Sequence, residues 1–328
     1  MGMENSNEME RLISSADNNI VGMVILKNNT TVYAQGWHGY TAEKVVHVFS
    51  VTKSIVSALI GIAIDQGYIR SVDQLVLDFF PDYPVKRGEK TIQRITLRHL
   101  MTMTAPFKYK SAPYTKYFTS DNWVRASLDL LGGKGMIGQF RYTPLIGPDI
   151  LSGILTSATG RSMLDFAAEN LFLPLGIPVR DRIVFHTKEE QLEMMKNHSA
   201  HGWVSDSQGN STAGWGLFLS AADMGKIGQL YLNHGIWEGN RIISGAWIDE
   251  STKVHHHWEG RDYGYLWWVI DENERSFAAL GDGGTVIYVN PAKKTVIAIA
   301  SRLKPNARDR IALIKSSIEP MLKGWSDR

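Results

Sequence analysis

Apolar residues in this chain follow a strand-like pattern at both ends and a helix-like pattern in the middle. Val21-Gly22-Met23-Val24-Ile25-Leu26 and Thr31-Val32-Tyr33-Ala34 flank the turn-forming set Lys27-Asn28-Asn29-Thr30, which predicts a β-hairpin over residues 21–37. From Val51 to Gln66 the chain is apolar almost all round, the signature of a helix buried at the centre of a domain. A further helix starts at Thr96, with Leu97, Leu100 and Met101 inward. Residues 106–123 lack a period and predict a long loop. Helical spacing returns over 149–159 and over 162–173, the latter with Ser162 as cap and Pro174 just beyond its end. It returns again after Ser220, with Asp223 at the third helical position. Three apolar runs, Tyr263–Ile270, Thr285–Val289 and Thr295–Ala300, then read as strands, Asn290–Lys294 as a turn, and residues 308–321 as a last helix.

Strands at both ends around a helical middle predict an α+β chain. Its mostly antiparallel sheet should have five or more strands from both termini and helices on both faces. Residues 1–84 with 220–328 are expected to form the sheet unit, and residues 85–219 a mainly helical insertion.

Composition narrows the function classes. A length of 328 residues suits one large domain or two interleaved ones. A formal net charge of +2, with no Lys/Arg-dense stripe, gives no sign of a nucleic-acid partner. No run of 18 or more apolar residues suggests a membrane span. Met1–Ala16 is polar and carries three glutamates, unlike a secretory signal. The loose acylation pattern at Met1-Gly2 has no second membrane signal beside it. The absence of cysteine excludes disulfides, thiolate metal sites and a cysteine nucleophile, and fits a cytoplasmic location.

The chemistry concentrates in Ser50-Val51-Thr52-Lys53 at the mouth of the long apolar helix. Residues three apart on a helix share a face, so the Lys53 amine lies within reach of the Ser50 hydroxyl. The helix N-terminus adds a positive field where an anion would form. Ser50 as a simple cap and Lys53 as a solvated lysine is the competing reading. The apolar surroundings favour chemistry, because an amine in the first turn of a buried helix loses its proton more easily.

Several segments then resemble, in order, the serine β-lactamase-like hydrolases: class C β-lactamases, DD-peptidases and related esterases and amidohydrolases. Phe49-Ser50-Val51-Thr52-Lys53-Ser54 is similar to the nucleophile motif, Leu97–Thr104 to the segment after it, and Phe140-Arg141-Tyr142 to the second motif. Leu171–Ile177, Trp215-Gly216-Leu217, Ala221–Met224 and Tyr263–Trp268 complete the series, which runs from about Val21 to Ser301. The resemblance implies a β-lactamase/transpeptidase-like fold and a small-molecule ester or amide substrate processed without a cofactor. It implies Ser50 as the acylated nucleophile, Lys53 as its base and Tyr142 as a second acid/base group whose phenol the nearby ammonium should pull down.

Two departures set expectations about substrate. Pro144 stands where many relatives carry Asn, and Asp282 in Gly281-Asp282-Gly283-Gly284-Thr285 takes the basic position of the third motif. An acid there repels a substrate carboxylate, which points to neutral or cationic esters and amides. Asp282, Gly283 and Gly284 are the expected substrate-binding residues. The N–H of Thr285, or of Gly284 one residue earlier, is expected to join that of Ser50 as an oxyanion hole. The altered motifs also leave open a protein that binds a ligand or partner in the same cleft with little turnover. His255-His256-His257 invites a metal reading, but three adjacent imidazoles point in different directions and rarely close around one ion. No metal is expected, and the sequence leaves the oligomeric state open.

Overall fold

The computed structural model describes residues 3–16, 19–196, 200–322 and 325; Met1 and Gly2, the first two residues of the acylation pattern, lie outside them. The N-terminal hairpin closes where expected. Asn28 and Asn29 adopt φ of 50° and 64°, as a tight hairpin turn requires, and asparagine tolerates that region well. The turn joins β1 (Ile20–Lys27) to β2 (Thr30–Gly36). A short strand β3 (Val46–His47) pairs with β4 (Phe218–Leu219) outside the main sheet.

From the C-terminal third come β5 (His256–Trp258), β6 (Arg261–Tyr263), β7 (Trp268–Asp271), β8 (Ser276–Gly281), β9 (Thr285–Asn290) and β10 (Thr295–Ser301). The main sheet has eight strands in the order β2-β1-β10-β9-β8-β7-β6-β5. Every pairing is antiparallel. The two chain ends therefore meet at β1 and β10.

Side chains alternate across this sheet with the strand period. Met23, Ile25, Val286, Tyr288, Ile297 and Ile299 face α1 (Met3–Ala16) and the C-terminal helical segment that begins at Arg310. Val24, Leu26, Ile287, Val289, Val296 and Ala298 face the opposite layer, which holds α2 (Val51–Asp65). The same apolar cluster continues into α3 (Leu97–Met101), α5 (Trp123–Leu130) and α6 (Ile146–Thr159) of the middle region. A short helix α4 (Tyr114–Phe118) interrupts the loop expected over 106–123.

Helix α7 (Met163–Ala167) starts at the Ser162 cap, whose hydroxyl accepts from the Asp165 N–H at 3.1 Å. Helix α8 (Ala221–Leu232) starts at Ser220, where the Asp223 carboxylate returns the bond to complete a capping box. Gly228 lets α8 press on the sheet: a Cβ there would lie 2.4 Å from Val296 Cγ1.

Other elements differ from expectation as well. Tyr263–Ile270 is two strands with a bend between them. Leu266 takes φ 62° and Gly264 leaves no room for a Cβ beside Ser251 O, at 2.3 Å. Leu266 O in turn accepts the Ser54 hydroxyl at 2.6 Å, so the bend is fastened to α2. Strand β8, in the interior of the sheet, has no β-branched residue and no clear alternation to announce it. Helix α1 buries Met9 and Ile13, one turn apart, among its described side chains, and its mostly polar sequence hides it.

Candidate active site

The site starts at a strained corner. Phe49, between β3 and α2, adopts φ 49°, a region that holds a bulky residue at a strain of roughly 1–3 kcal/mol. The corner is packed into place: Phe49 lies edge-on to His47, with ring centroids 4.1 Å apart. The end of β8 presses in so closely that a Cβ on Gly281 would meet Val48 O at 2.4 Å. Ser50 therefore enters α2 with helical angles (φ −70°, ψ −5°) and makes no side-chain cap. The capping alternative thus has no hydrogen bond behind it. Its Oγ instead accepts from Lys53 Nζ at 2.8 Å.

Lys53 is only 2% exposed, on a helix whose residues Val51 to Ala63 are all buried. Nζ donates to Gly214 O at 2.7 Å as well as to Ser50. Burial pulls its pKa down to about 7, and the carboxylates of Asp282 and Asp149 pull it back up. Near neutral pH a substantial fraction of the amine is unprotonated and carries a lone pair.

Tyr142 lies on the same spot, with Lys53 Nζ 5.5 Å from its ring centroid. It is walled by Trp258, Tyr263 and Trp268. Its phenol does not behave as the resemblance suggested: burial pushes it up to about 12, a hydrogen bond with Ser50 pulls it down, and Asp282 pushes it up. The expected lowering by an ammonium fails because desolvation of the buried phenolate dominates.

The third-motif residues divide. Asp282, exposed at the rim, reaches both Lys53 and Tyr142 with its field. Gly283 and Gly284, at φ 73° and 84°, turn the chain against Arg302 and Arg310. Thr285 opens β9, fully buried opposite Gly281, with its hydroxyl donating to Ser301 O at 3.3 Å. Ser50, Lys53, Tyr142 and Asp282 thus converge, while the side chain of Thr285 belongs to the sheet.

Two buried residues at the site carry no sequence signal. Asp149, in the first turn of α6, accepts from Ala213 N at 2.6 Å, Gly214 N at 3.2 Å and the Tyr117 hydroxyl. Burial pushes its carboxyl up to about 6, against those hydrogen bonds and Lys53. His47 Nε2 accepts from Gly216 N at 3.2 Å, which leaves the proton on Nδ1. Burial pulls its pKa down to about 3, so the ring is neutral.

The histidine run does not converge on an ion. His255 stacks on Tyr265, and His257 Nδ1 pairs with Asp262 at 2.5 Å. Among the described residues no group of three or more His, Asp or Glu is placed to hold a metal. No helix among them is long and apolar enough to cross a membrane.

Comparison with known proteins bears on the family and the fold. The β-lactamase family model matches residues 9–317. The 6-aminohexanoate-dimer hydrolase of Paenarthrobacter ureafaciens is 20% identical over 285 residues, covering 80% of this chain and 67% of that protein. A penicillin-binding protein homologue from Caulobacter crescentus superposes with a TM-score of 0.69 at 16% identity, covering 93% of each chain. A family VIII carboxylesterase superposes with a TM-score of 0.70 at 13% identity, covering 96% of each.

Proposed function

The chain belongs to the β-lactamase family and is a serine hydrolase, and we propose that it cleaves a small ester or amide through an acyl-enzyme on Ser50. The observation that carries this reading is the 2.8 Å contact between Ser50 Oγ and a buried amine with a pKa pulled down to about 7. Serine alone is too weak an acid to give up its proton at neutral pH, so it needs an adjacent base.

Neutral Lys53 takes the Ser50 proton as Oγ attacks the substrate carbonyl. The oxyanion that forms is held by the N–H of Ser50 and a second N–H from Thr285 or Gly284, at the positive end of α2. Tyr142, whose phenol stays protonated up to about 12, is suited to give its proton to the leaving oxygen or nitrogen. The proton on Lys53 then returns to Tyr142. Water, activated by the same pair, cleaves the acyl-enzyme and restores Ser50. The strong separation of the two pKa values divides the labour, with lysine as base and tyrosine as acid.

We also propose that the cleft lies between two units. Ser50, Lys53 and Asp282 come from residues 1–84 and 220–328, and Tyr142 and Gly214 from residues 85–219. Asp282 at the rim disfavours a substrate carboxylate and leaves neutral or cationic esters and amides. A chromogenic screen of short-chain esters, D-amino amides and nitrocefin, with Ser50→Ala as control, tests the reading. Turnover of an ester that Ser50→Ala abolishes is expected; a folded wild-type protein that turns over none of them points instead to a ligand-binding role.

A further inference from the structure

Lys53 can act on Ser50 only if something holds its amine in place. The four-carbon stem is flexible, and three N–H directions compete for partners. Gly214 O supplies the fixed acceptor, at 2.7 Å. The question is what fixes Gly214, a residue in a loop 161 positions away in sequence.

Two contacts do so. On one side the glycine is jammed against the chain after Tyr142: a Cβ there would lie 2.5 Å from Pro144 O and 3.2 Å from the Leu145 backbone. On the other side Asp149 Oδ1 accepts the consecutive N–H groups of Ala213 and Gly214. One carboxylate oxygen thus orients the peptide planes just before the carbonyl that receives Lys53. Asp149 is in turn anchored by α6 and by the Tyr117 hydroxyl on its other oxygen. It is 1% exposed, and a carboxylate so buried is retained only where its partners are specific.

We infer that Asp149 is a positioning residue for the proposed acylation: it orients the 213–214 turn so that Gly214 O aims Lys53 at Ser50, and its negative charge acts on the same amine. This rests on the reading of Lys53 as the base for Ser50. The charged and titratable groups around Asp149 are Lys53 on α2 and Tyr117 on α4. Asp282 acts on Lys53 from the rim, and Asp206 acts on Tyr117 from the loop after residue 204. Of the two acids whose charge reaches Lys53, Asp149 alone also bonds the loop that holds it.

The sign of the electrostatic effect follows. A nearby carboxylate favours the ammonium form and raises the lysine pKa. Removal of that charge with the hydrogen bonds kept should lower the Lys53 pKa and move the acid limb of the rate profile to lower pH. Asparagine at 149 keeps an acceptor oxygen for both N–H groups, and its amide can donate to the Tyr117 oxygen.

The test is the pH dependence of p-nitrophenyl butyrate hydrolysis by wild type, Asp149→Asn, Asp149→Ala and Ser50→Ala. Asp149→Ala should lose about a hundredfold in kcat, the scale of a misplaced catalytic group, with KM changed much less. Asp149→Asn should retain more activity, with its acid limb displaced downward by about one pH unit. An acid limb that stays put or moves upward in Asp149→Asn, or a kcat in that variant within twofold of wild type at every pH, overturns the inference. If Asp149→Ala does not fold, Asp149→Asn decides alone, because a merely structural role would lower stability and leave the limb where it is. Failure of the underlying reading looks different: Ser50→Ala then hydrolyses the ester as fast as wild type, or wild type does not hydrolyse it at all.

Discussion

At Lys53 a single side chain joins Ser50, the loop that carries Gly214 and the fields of two acidic groups. If Ser50, Lys53 and Tyr142 act as one unit, Ser50→Ala, Lys53→Ala and Tyr142→Phe should each reduce kcat on an ester by roughly a thousandfold or more, without additive losses in the double variants. Steady-state kinetics on folded variants checks this. The base works only when unprotonated, so kcat/KM should rise about tenfold per pH unit below the Lys53 pKa near 7 and level off above it. A stopped-rate series from pH 5 to 9 would show the limb. That Ser50, Lys53 and Tyr142 come together was legible, because the first two share a helix face and the third follows a recognisable motif. Asp149 and His47 were not. An aspartate in the first turn of a helix reads as an ordinary response to the helix dipole. Only the fold brings Ala213 and Gly214 to it, and Gly216 to His47.

Among the elements, those with strong periodicity or caps were readable: the hairpin turned by Asn28 and Asn29, the buried α2, and the helices capped by Ser162 and Ser220. Strand β8 was not, because Phe277-Ala278-Ala279-Leu280 is held by neighbours on both sides and needs little β-propensity of its own. The bend after Tyr263 was hidden as well, since the contact that fastens it joins Ser54 to Leu266 O, 212 residues away in sequence. Helix α8 depends on a glycine that sequence alone would count as a weakness. Gly228→Val would drive a branched side chain into Val296 Cγ1 and Ile287 Cγ2, at 2.4 and 3.0 Å from the first added carbon. Overpacking of that kind should destabilise the protein by about 1–3 kcal/mol. Urea unfolding followed by circular dichroism measures it, and an unchanged midpoint would contradict this account of how α8 seats on the sheet.

At the scale of the whole molecule, the fold was legible because strands from both ends had to share one sheet, and β1 pairs with β10 in that way. Substrate preference was less so, since it depends on loops that carry no periodic signal. Asp282 at the rim and Pro144 behind Tyr142 predict that nitrocefin, which carries a carboxylate, is turned over far more slowly than a short-chain ester. Equal kcat/KM on the two would contradict that assignment of Asp282. The central claim is that Ser50 is the nucleophile, activated by Lys53. It is tested most directly by treating the folded protein with a fluorophosphonate and locating the adduct by peptide mass spectrometry. The account predicts one phosphonyl group on Ser50, formed much more slowly in Lys53→Ala and not at all in Ser50→Ala. An adduct on another residue, or labelling of Ser50 at the wild-type rate in Lys53→Ala, would contradict it.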